Sequence, residues 1–199
     1  MKLIIQIPCY NEEKTLPQTI KDIPSKIEGI DHVEVLIIND GSSDRTAEVA
    51  RRVGVDHIVQ NTNNKGLART FLVGLDACLR LGADIIVNTD GDNQYCGEDI
   101  KKLVAPIVRG EADMVVGDRQ TDHIAHFSKN KRRLQKIGSF VVRRLSETQV
   151  QDAVSGFRAL GREAALQMNI VSSFSYTIET VIQAGKKSLA VTSVPVKTN

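Results

Sequence analysis

The chain has 199 residues, 41% of them hydrophobic and 25% charged, which suits one soluble domain with a substantial core. No stretch approaches the ~18 apolar residues of a membrane helix, so a spanning protein is excluded as a reading of these residues. The net charge of +2 conceals a segment, Arg119 to Arg144, with eight basic residues against the single acid Asp122, which points to an anionic partner.

Short apolar runs alternate with helical patterns over the first 117 residues. Leu3–Ile7 reads as a buried strand, followed by a helix over Glu13–Ile27. Val33–Ile38 reads as the second strand, with a helix over Arg45–Val53 that Ser43 or Asp44 would cap. His57–Val59 precedes a helix over Gly66–Leu81, and Ile85–Val87 precedes one over Glu98–Arg109. Met114–Val116 closes the series. Such βαβ repetition predicts an α/β fold with a mainly parallel central sheet flanked by helices.

Beyond Gly117 the pattern changes to a polar stretch over 118–130, a basic helix candidate over Lys131–Ser146 and a final strand near Leu189–Val196. His123 and His126 fall in the polar stretch without metal-ligand spacing, and Phe174, Tyr176 and Ile178 read as core or as the lining of a groove. No repeat or low-complexity linker divides the chain, so 1–199 is read as one domain, with 1–117 and 118–199 as its two functional halves.

Ligands of open α/β sheets bind beyond the carboxyl ends of the strands. The polar clusters fall there: Pro8 to Glu12 after the first strand, Asn39 to Asp44 after the second, Asn61 to Lys65 after the third and Asp90 to Gln94 after the fourth. If the chain stays extended past Ile85–Val87, Asp90, Asp92 and Gln94 share one face, and hard oxygen ligands so placed suit Mg²⁺ or Mn²⁺ carrying phosphates. The competing reading is a solvated acidic turn.

Other phosphate and metal motifs are missing. There is no Gly-x-x-x-x-Gly-Lys-Ser/Thr loop and no Gly-x-Gly-x-x-Gly after the first strand. An EF-hand starting at Asp90 would need glycine where Tyr95 stands and glutamate where Lys101 stands. Cys9, Cys78 and Cys96 form no Cys-x-x-Cys pair, which argues against a disulfide framework or a structural zinc site and fits a reducing cytosol.

The ordered set Pro8-x-Tyr10-Asn11-Glu12, Asn39-Asp40-Gly41-Ser42-Ser43-Asp44, Asp90-x-Asp92, Val116-Gly117-Asp118-Arg119, Asp152-x-x-Ser155-Gly156-Phe157-Arg158 and Ser193-Val194-Pro195-Val196 spans essentially the whole chain. It resembles the family 2 glycosyltransferases of GT-A fold, within them the enzymes similar to dolichyl- and polyprenyl-phosphate sugar synthases. The resemblance implies an inverting, metal-dependent transferase that moves a sugar from a UDP- or GDP-linked donor to a lipid phosphate. It places Pro8, Tyr10 and Glu12 around the nucleoside, Asp40 against the base and Asp90 near the ribose or the metal. It assigns Mg²⁺ or Mn²⁺ to Asp92 and Gln94, and catalysis to Asp92 and Asp152. Arg119, Arg132 and Arg133 would hold the acceptor phosphate, although charge runs are often only solvated helix faces. Gly91 stands where many members carry alanine, a change expected to be tolerated.

The same resemblance implies a peripheral enzyme at the cytoplasmic face of a membrane, where Arg143 and Arg144 would meet anionic headgroups, with no nucleic-acid partner. Members usually continue past this point, often into membrane helices, so the resemblance implies a chain cut short or a short member at Asn199. Two alternatives stand beside it: a soluble transferase acting on a glycan hydroxyl, and a nucleotide-binding relative without turnover.

Overall fold

The computed structural model describes residues 1–120, 144–172 and 175–199. The basic helix candidate over Lys131–Ser146, Arg132, Arg133, Arg143, His123, His126 and Phe174 therefore lie wholly or largely outside the described residues.

The element order is β1 (Lys2–Cys9), α1 (Leu16–Lys21), β2 (His32–Asn39), α2 (Thr46–Arg52), β3 (His57–Gln60), α3 (Leu67–Arg80), β4 (Ile85–Asn88), α4 (Ile100–Val108), β5 (Met114–Asp118), β6 (Arg158–Gly161), α5 (Arg162–Gln167), α6 (Thr177–Lys186) and β7 (Val191–Pro195). The strands form one sheet in the order β3-β2-β1-β4-β6-β5-β7. Every pairing is parallel except the two made by β6, which runs antiparallel between β4 and β5. The expected α/β architecture with a mainly parallel sheet is thus observed.

Strand alternation distributes the core to both faces. Leu3, Ile5, Ile7, Val87 and Val115 pack with α1, α2 and α4 on one side, while Ile4, Ile38, Ile86, Met114 and Leu160 pack with Phe71, Leu75 and Val181 on the other. A strand buried on both faces needs apolar residues at every position, which is why β1 and β4 read as continuous apolar runs. Gln6 is the polar exception in β1; its amide donates to Asn88 Oδ1 at 3.0 Å inside the sheet.

Four elements differ from the sequence reading. The first helix spans six residues rather than the fifteen expected: it begins only at Leu16 and ends at Lys21, ahead of Pro24, which cannot continue a helix. Ile27 nevertheless reaches the core. The strand β6 was not foreseen: it is four residues long and begins with a charged side chain, so nothing in its pattern resembles a buried strand. The helices α5 and α6 were likewise absent from the reading.

Candidate active site

Four strand-end loops meet at the carboxyl edge of the sheet around a cavity of about 370 Å³. Pro8, Cys9, Tyr10 and Glu12 line it from the end of β1, Asp40 from β2, Asn64, Gly66, Leu67 and Thr70 from the start of α3, and Asp90, Gly91 and Asp92 from β4.

The first two loops are stitched together by side chains acting as backbone partners. Asn11, with φ of 59°, accepts from the Ser43 amide at 2.9 Å while its own amide donates to Ser42 Oγ at 2.9 Å. The amides of Glu12 and Glu13 donate to Thr46 Oγ1 at 2.8 Å and Asp44 Oδ2 at 3.1 Å. Asp44 also accepts from the Thr46 amide at 2.9 Å, but the N-cap position of α2 is Arg45, which makes no side-chain cap bond, so neither Ser43 nor Asp44 is the cap that was expected. These bonds fix Tyr10, which is 49% exposed, at the lip of the cavity.

Asp40 is buried and its carboxylate is heavily used. Oδ1 accepts from Asn61 Nδ2 at 2.8 Å and from the Lys65 amide at 2.9 Å, and Oδ2 accepts from the Gly66 amide at 3.0 Å. It therefore joins the ends of β2 and β3 to the first turn of α3.

Past β4 the chain turns at Gly91 and Asp92, and Asn93 adopts a left-handed φ of 59°. The expected extended alternation fails here, with a clear consequence. Asp90 and Asp92 line the cavity, whereas Gln94 is exposed and outside its lining, with its amide donating to Asp92 Oδ1 at 3.0 Å. Gly91 is closely packed: a Cβ there would lie 2.9 Å from Cys9 Sγ, so alanine would require the sulfur to move, and glycine fits this chain without strain on that contact.

Burial, and then the neighbouring charge of Asp92, push the Asp90 carboxyl up to about 6 despite the opposing charges of Arg119 and Arg158. Two carboxylates crowded at the wall of one cavity fit a divalent cation, whose charge would offset that cost and whose preference is for hard oxygen. The donor set that the geometry offers is Asp92 with Asp90.

Arg119 and Asp152 were expected at the acceptor side, and the structure couples them directly. Arg119 Nε donates to Asp152 Oδ2 at 2.7 Å and its Nη2 to Oδ1 at 3.0 Å, a two-pronged pair in which the Arg119 side chain is 17% exposed and the Asp152 side chain 2%. Burial works against the Arg119 charge, yet the hydrogen bonds and charge of Asp152 outweigh it and hold its pKa above the ordinary value.

Behind these residues lies a supporting layer that the sequence reading did not assign. Asn88 Nδ2 donates to the Gly156 carbonyl at 3.0 Å and to Tyr176 Oη at 2.9 Å, while Tyr95 Oη accepts from the Gly156 amide at 3.3 Å. Tyr176 is buried and stacked on Phe71, which resolves its expected place as core. Gly156 itself is pressed against the site: a Cβ there would sit 3.1 Å from one Asp90 oxygen and 3.2 Å from the other. Arg158 is fully buried and donates to the carbonyls of Thr177, Ala153 and Ser155 and to Thr180 Oγ1, which ties the Asp152 turn to α6. Asn64 belongs to the polar cluster expected after the third strand, whereas Gly66, Leu67 and Thr70 were missed; the signal was a glycine directly after that loop and before a helical pattern.

The model of the family described as "Glycosyl transferase family 2" matches residues 4–167. This chain belongs to that family. Among relatives, a UDP-N-acetylglucosamine–dolichyl-phosphate N-acetylglucosaminyltransferase of Methanococcus voltae is 30% identical over 96% of this chain and 83% of its own length. A dolichol-phosphate mannosyltransferase of Pyrococcus furiosus is 28% identical over 96% of this chain and 55% of its own length. A glucosyl-3-phosphoglycerate synthase of Mycobacterium tuberculosis, solved with Mn²⁺, UDP and phosphoglyceric acid, superposes with a TM-score of 0.75 at 20% identity, covering 98% of this chain and 68% of that one. The chain is thus a family 2 glycosyltransferase of GT-A fold that resembles the polyprenyl-phosphate sugar synthases. No helix among the described residues is long and apolar enough to cross a membrane.

Proposed function

We propose that this enzyme transfers a sugar from a nucleoside-diphosphate sugar to a polyprenyl phosphate, with inversion at the anomeric carbon. The observation that carries the reading is one cavity whose wall brings together Asp40, Asp90 and Asp92, with the charge of Arg119 opposing the rise of the Asp90 pKa. Pro8, Tyr10, Glu12 and Asp40 hold the nucleoside end. Asp92 and Asp90 would hold Mg²⁺ or Mn²⁺, which supplies charge neutralisation for the departing diphosphate when bound.

Arg119 presents a guanidinium to the acceptor phosphate, and the basic segment that includes Arg132 and Arg133 adds charge from the same part of the sequence. A phosphate oxygen attacks the anomeric carbon from the face opposite the diphosphate, the new C–O bond forms, and the old one breaks with its electron pair leaving on the nucleoside diphosphate. A phosphate monoester with a second pKa of about 6 is already largely anionic at neutral pH, so no strong base is needed. This agrees with the geometry of Asp152: a carboxylate whose two oxygens both accept from Arg119 is committed to holding that guanidinium and serves as a positioning group. That same commitment weighs against the glycan-hydroxyl alternative. We place the enzyme at the cytoplasmic face of a membrane, where its acceptor would lie.

Incubation of the protein with labelled UDP- and GDP-sugars, Mn²⁺ and polyprenyl phosphate in detergent tests the reading. A chloroform-soluble, mild-acid-labile sugar phosphodiester is expected. Transfer only to soluble hydroxyl or phosphate acceptors would overturn the lipid assignment.

A further inference from the structure

The turn that carries Asp92 is held from outside by the chain that follows β7, and what this does for the site rests on the cation reading above. Residues 196–199 run antiparallel to residues 94–96, with Thr198 bridged to Tyr95. The Cys96 amide donates to the Lys197 carbonyl at 3.2 Å and the Asn199 amide to the Gln94 carbonyl at 2.9 Å. The Lys197 amide donates in turn to Asp99 Oδ2 at 2.6 Å, a buried carboxylate that anchors this short ladder to the start of α4.

Asn199 adds its side chain to the ladder. Its Nδ2 donates to the Asn93 carbonyl at 3.0 Å and to the Tyr95 carbonyl at 3.3 Å, so one residue engages three successive carbonyls. The first of them decides the matter. The Asn93 carbonyl and the Gln94 N–H belong to one planar peptide unit, and that N–H is the donor to Asp92 Oδ1 at 3.0 Å. Holding the oxygen end of the plane aims its N–H end, and a bond accepted at the oxygen strengthens the one donated from the nitrogen. Asp92 is exposed, and among the described residues the Gln94 amide is what ties its carboxylate down. The turn does not support itself: Asn93 has a left-handed φ of 59°, and its Oδ1 is buried without a hydrogen-bond partner among the described residues. Such a conformation persists where the surroundings over-determine it.

We infer that Asn199 is a positioning residue for the cation site, acting through the Asn93–Gln94 peptide to hold the Asp92 carboxylate in the orientation that takes the divalent ion. The bond from Gln94 uses one lone pair of Oδ1 and leaves the other, with both of Oδ2, for a cation. A carboxylate already held in one orientation loses less freedom on binding, so the ion is taken more tightly. Asn199 works on the site through the backbone of the turn, and its removal acts on the cation before it acts on the nucleotide.

The test compares the whole chain with Asn199→Ala, Asn199→Asp and Thr198→Ala. Nuclear magnetic resonance reads hydrogen exchange of the Gln94 amide in metal-free, ligand-free protein, and calorimetry reads Mn²⁺ uptake in the presence of UDP and, separately, of GDP. Asn199→Ala, and Asn199→Asp, which keeps the size and loses the donor, should each speed Gln94 exchange about fivefold, the ratio that loss of roughly one net hydrogen bond produces. Mn²⁺ affinity of Asn199→Ala should fall by a similar factor. Asn199 is exposed, so the melting point of the ligand-free variant should hardly move, and nucleotide binding without Mn²⁺ should stay as in the parent. Thr198→Ala keeps the backbone bridge to Tyr95 and should match the parent throughout. A lowered melting point, with nucleotide binding weakened equally with and without Mn²⁺, would mark Asn199 as merely structural and overturn the inference. Unchanged Gln94 exchange, or unchanged Mn²⁺ affinity in Asn199→Ala beside a parent that binds the ion, overturns the inference and leaves the cation reading standing. A folded parent that takes up no Mn²⁺ with either nucleotide overturns the cation reading and the inference with it.

Discussion

Arg119 and Asp152 illustrate how a pair can be worth little as a contribution to stability and much as geometry. Two charges removed from water pay a desolvation cost that their attraction roughly repays, but removing one partner strands the other. Arg119→Ala leaves a 2% exposed carboxylate without its guanidinium and is expected to cost about 3–5 kcal/mol in a denaturant melt. Replacing both by apolar residues, Arg119→Met with Asp152→Leu, should recover most of that stability and none of the transfer activity. A double variant as unstable as the single one would show that the loss comes from packing instead. Asp152→Asn separates positioning from proton transfer: if Asp152 holds Arg119, the change should raise KM for the phosphate acceptor more than it lowers kcat, and the pH profile of kcat should keep its shape. A large kcat loss with a shifted profile would restore Asp152 as the base.

At the scale of elements, the site depends on how closely α3 lies on the sheet. Gly74 is the contact: a Cβ there would meet Gln6 Oε1 at 2.4 Å and Ile38 Cδ1 at 2.7 Å. Gly74→Ala forces either these buried side chains to shift or the helix, whose first turns carry Gly66, Leu67 and Thr70 into the cavity, to lift. Overpacking of this kind costs about 1–3 kcal/mol, and nucleotide affinity should fall along with thermal stability. Retained affinity with a lowered melting point would mean that the strain is absorbed away from the cavity. Gly74 also shows where sequence reasoning stops. Asp40, Asp90, Asp92 and Arg119 could be singled out because strand-end position and side-chain chemistry are local properties, whereas Asp152, which follows no strand, was singled out only by the resemblance of its motif. The turn that removes Gln94 from the cavity, the short antiparallel β6 and the hold of Asn199 on that turn depend on which elements pack together. An isolated Gly in a helical pattern, a four-residue segment starting with Arg158 and an asparagine after β7 carry no such information by themselves.

For the whole molecule, the crowding of Asp90 should be visible as a pH dependence of stability. Its carboxyl titrates at about 6 in the folded protein, above the roughly 3.9 of an unfolded chain. The folded state therefore holds the proton more tightly, and between pH 4 and 6 ionisation of Asp90 subtracts stability as pH rises, by at most about 3 kcal/mol, with no further change above. Asp44 works in the opposite direction. Burial opposes its charge, but hydrogen bonds from Thr46 and from the Glu13 amide hold its pKa low, so its contribution is present above the unfolded pKa and is lost as pH falls through the folded one. The total curve mixes such terms, and comparison with Asp90→Asn isolates one of them. That variant should match the parent near pH 4 and exceed it increasingly up to pH 6, keeping the advantage at neutral pH in metal-free buffer. Mn²⁺ with a nucleoside diphosphate should then stabilise the parent and largely fail to stabilise the variant, because a cation relieves repulsion only where the carboxylates exist. A stability difference that stays flat from pH 4 to 7 would mean that Asp90 ionises without cost. The cavity would then lack the charge crowding on which the proposed cation site rests.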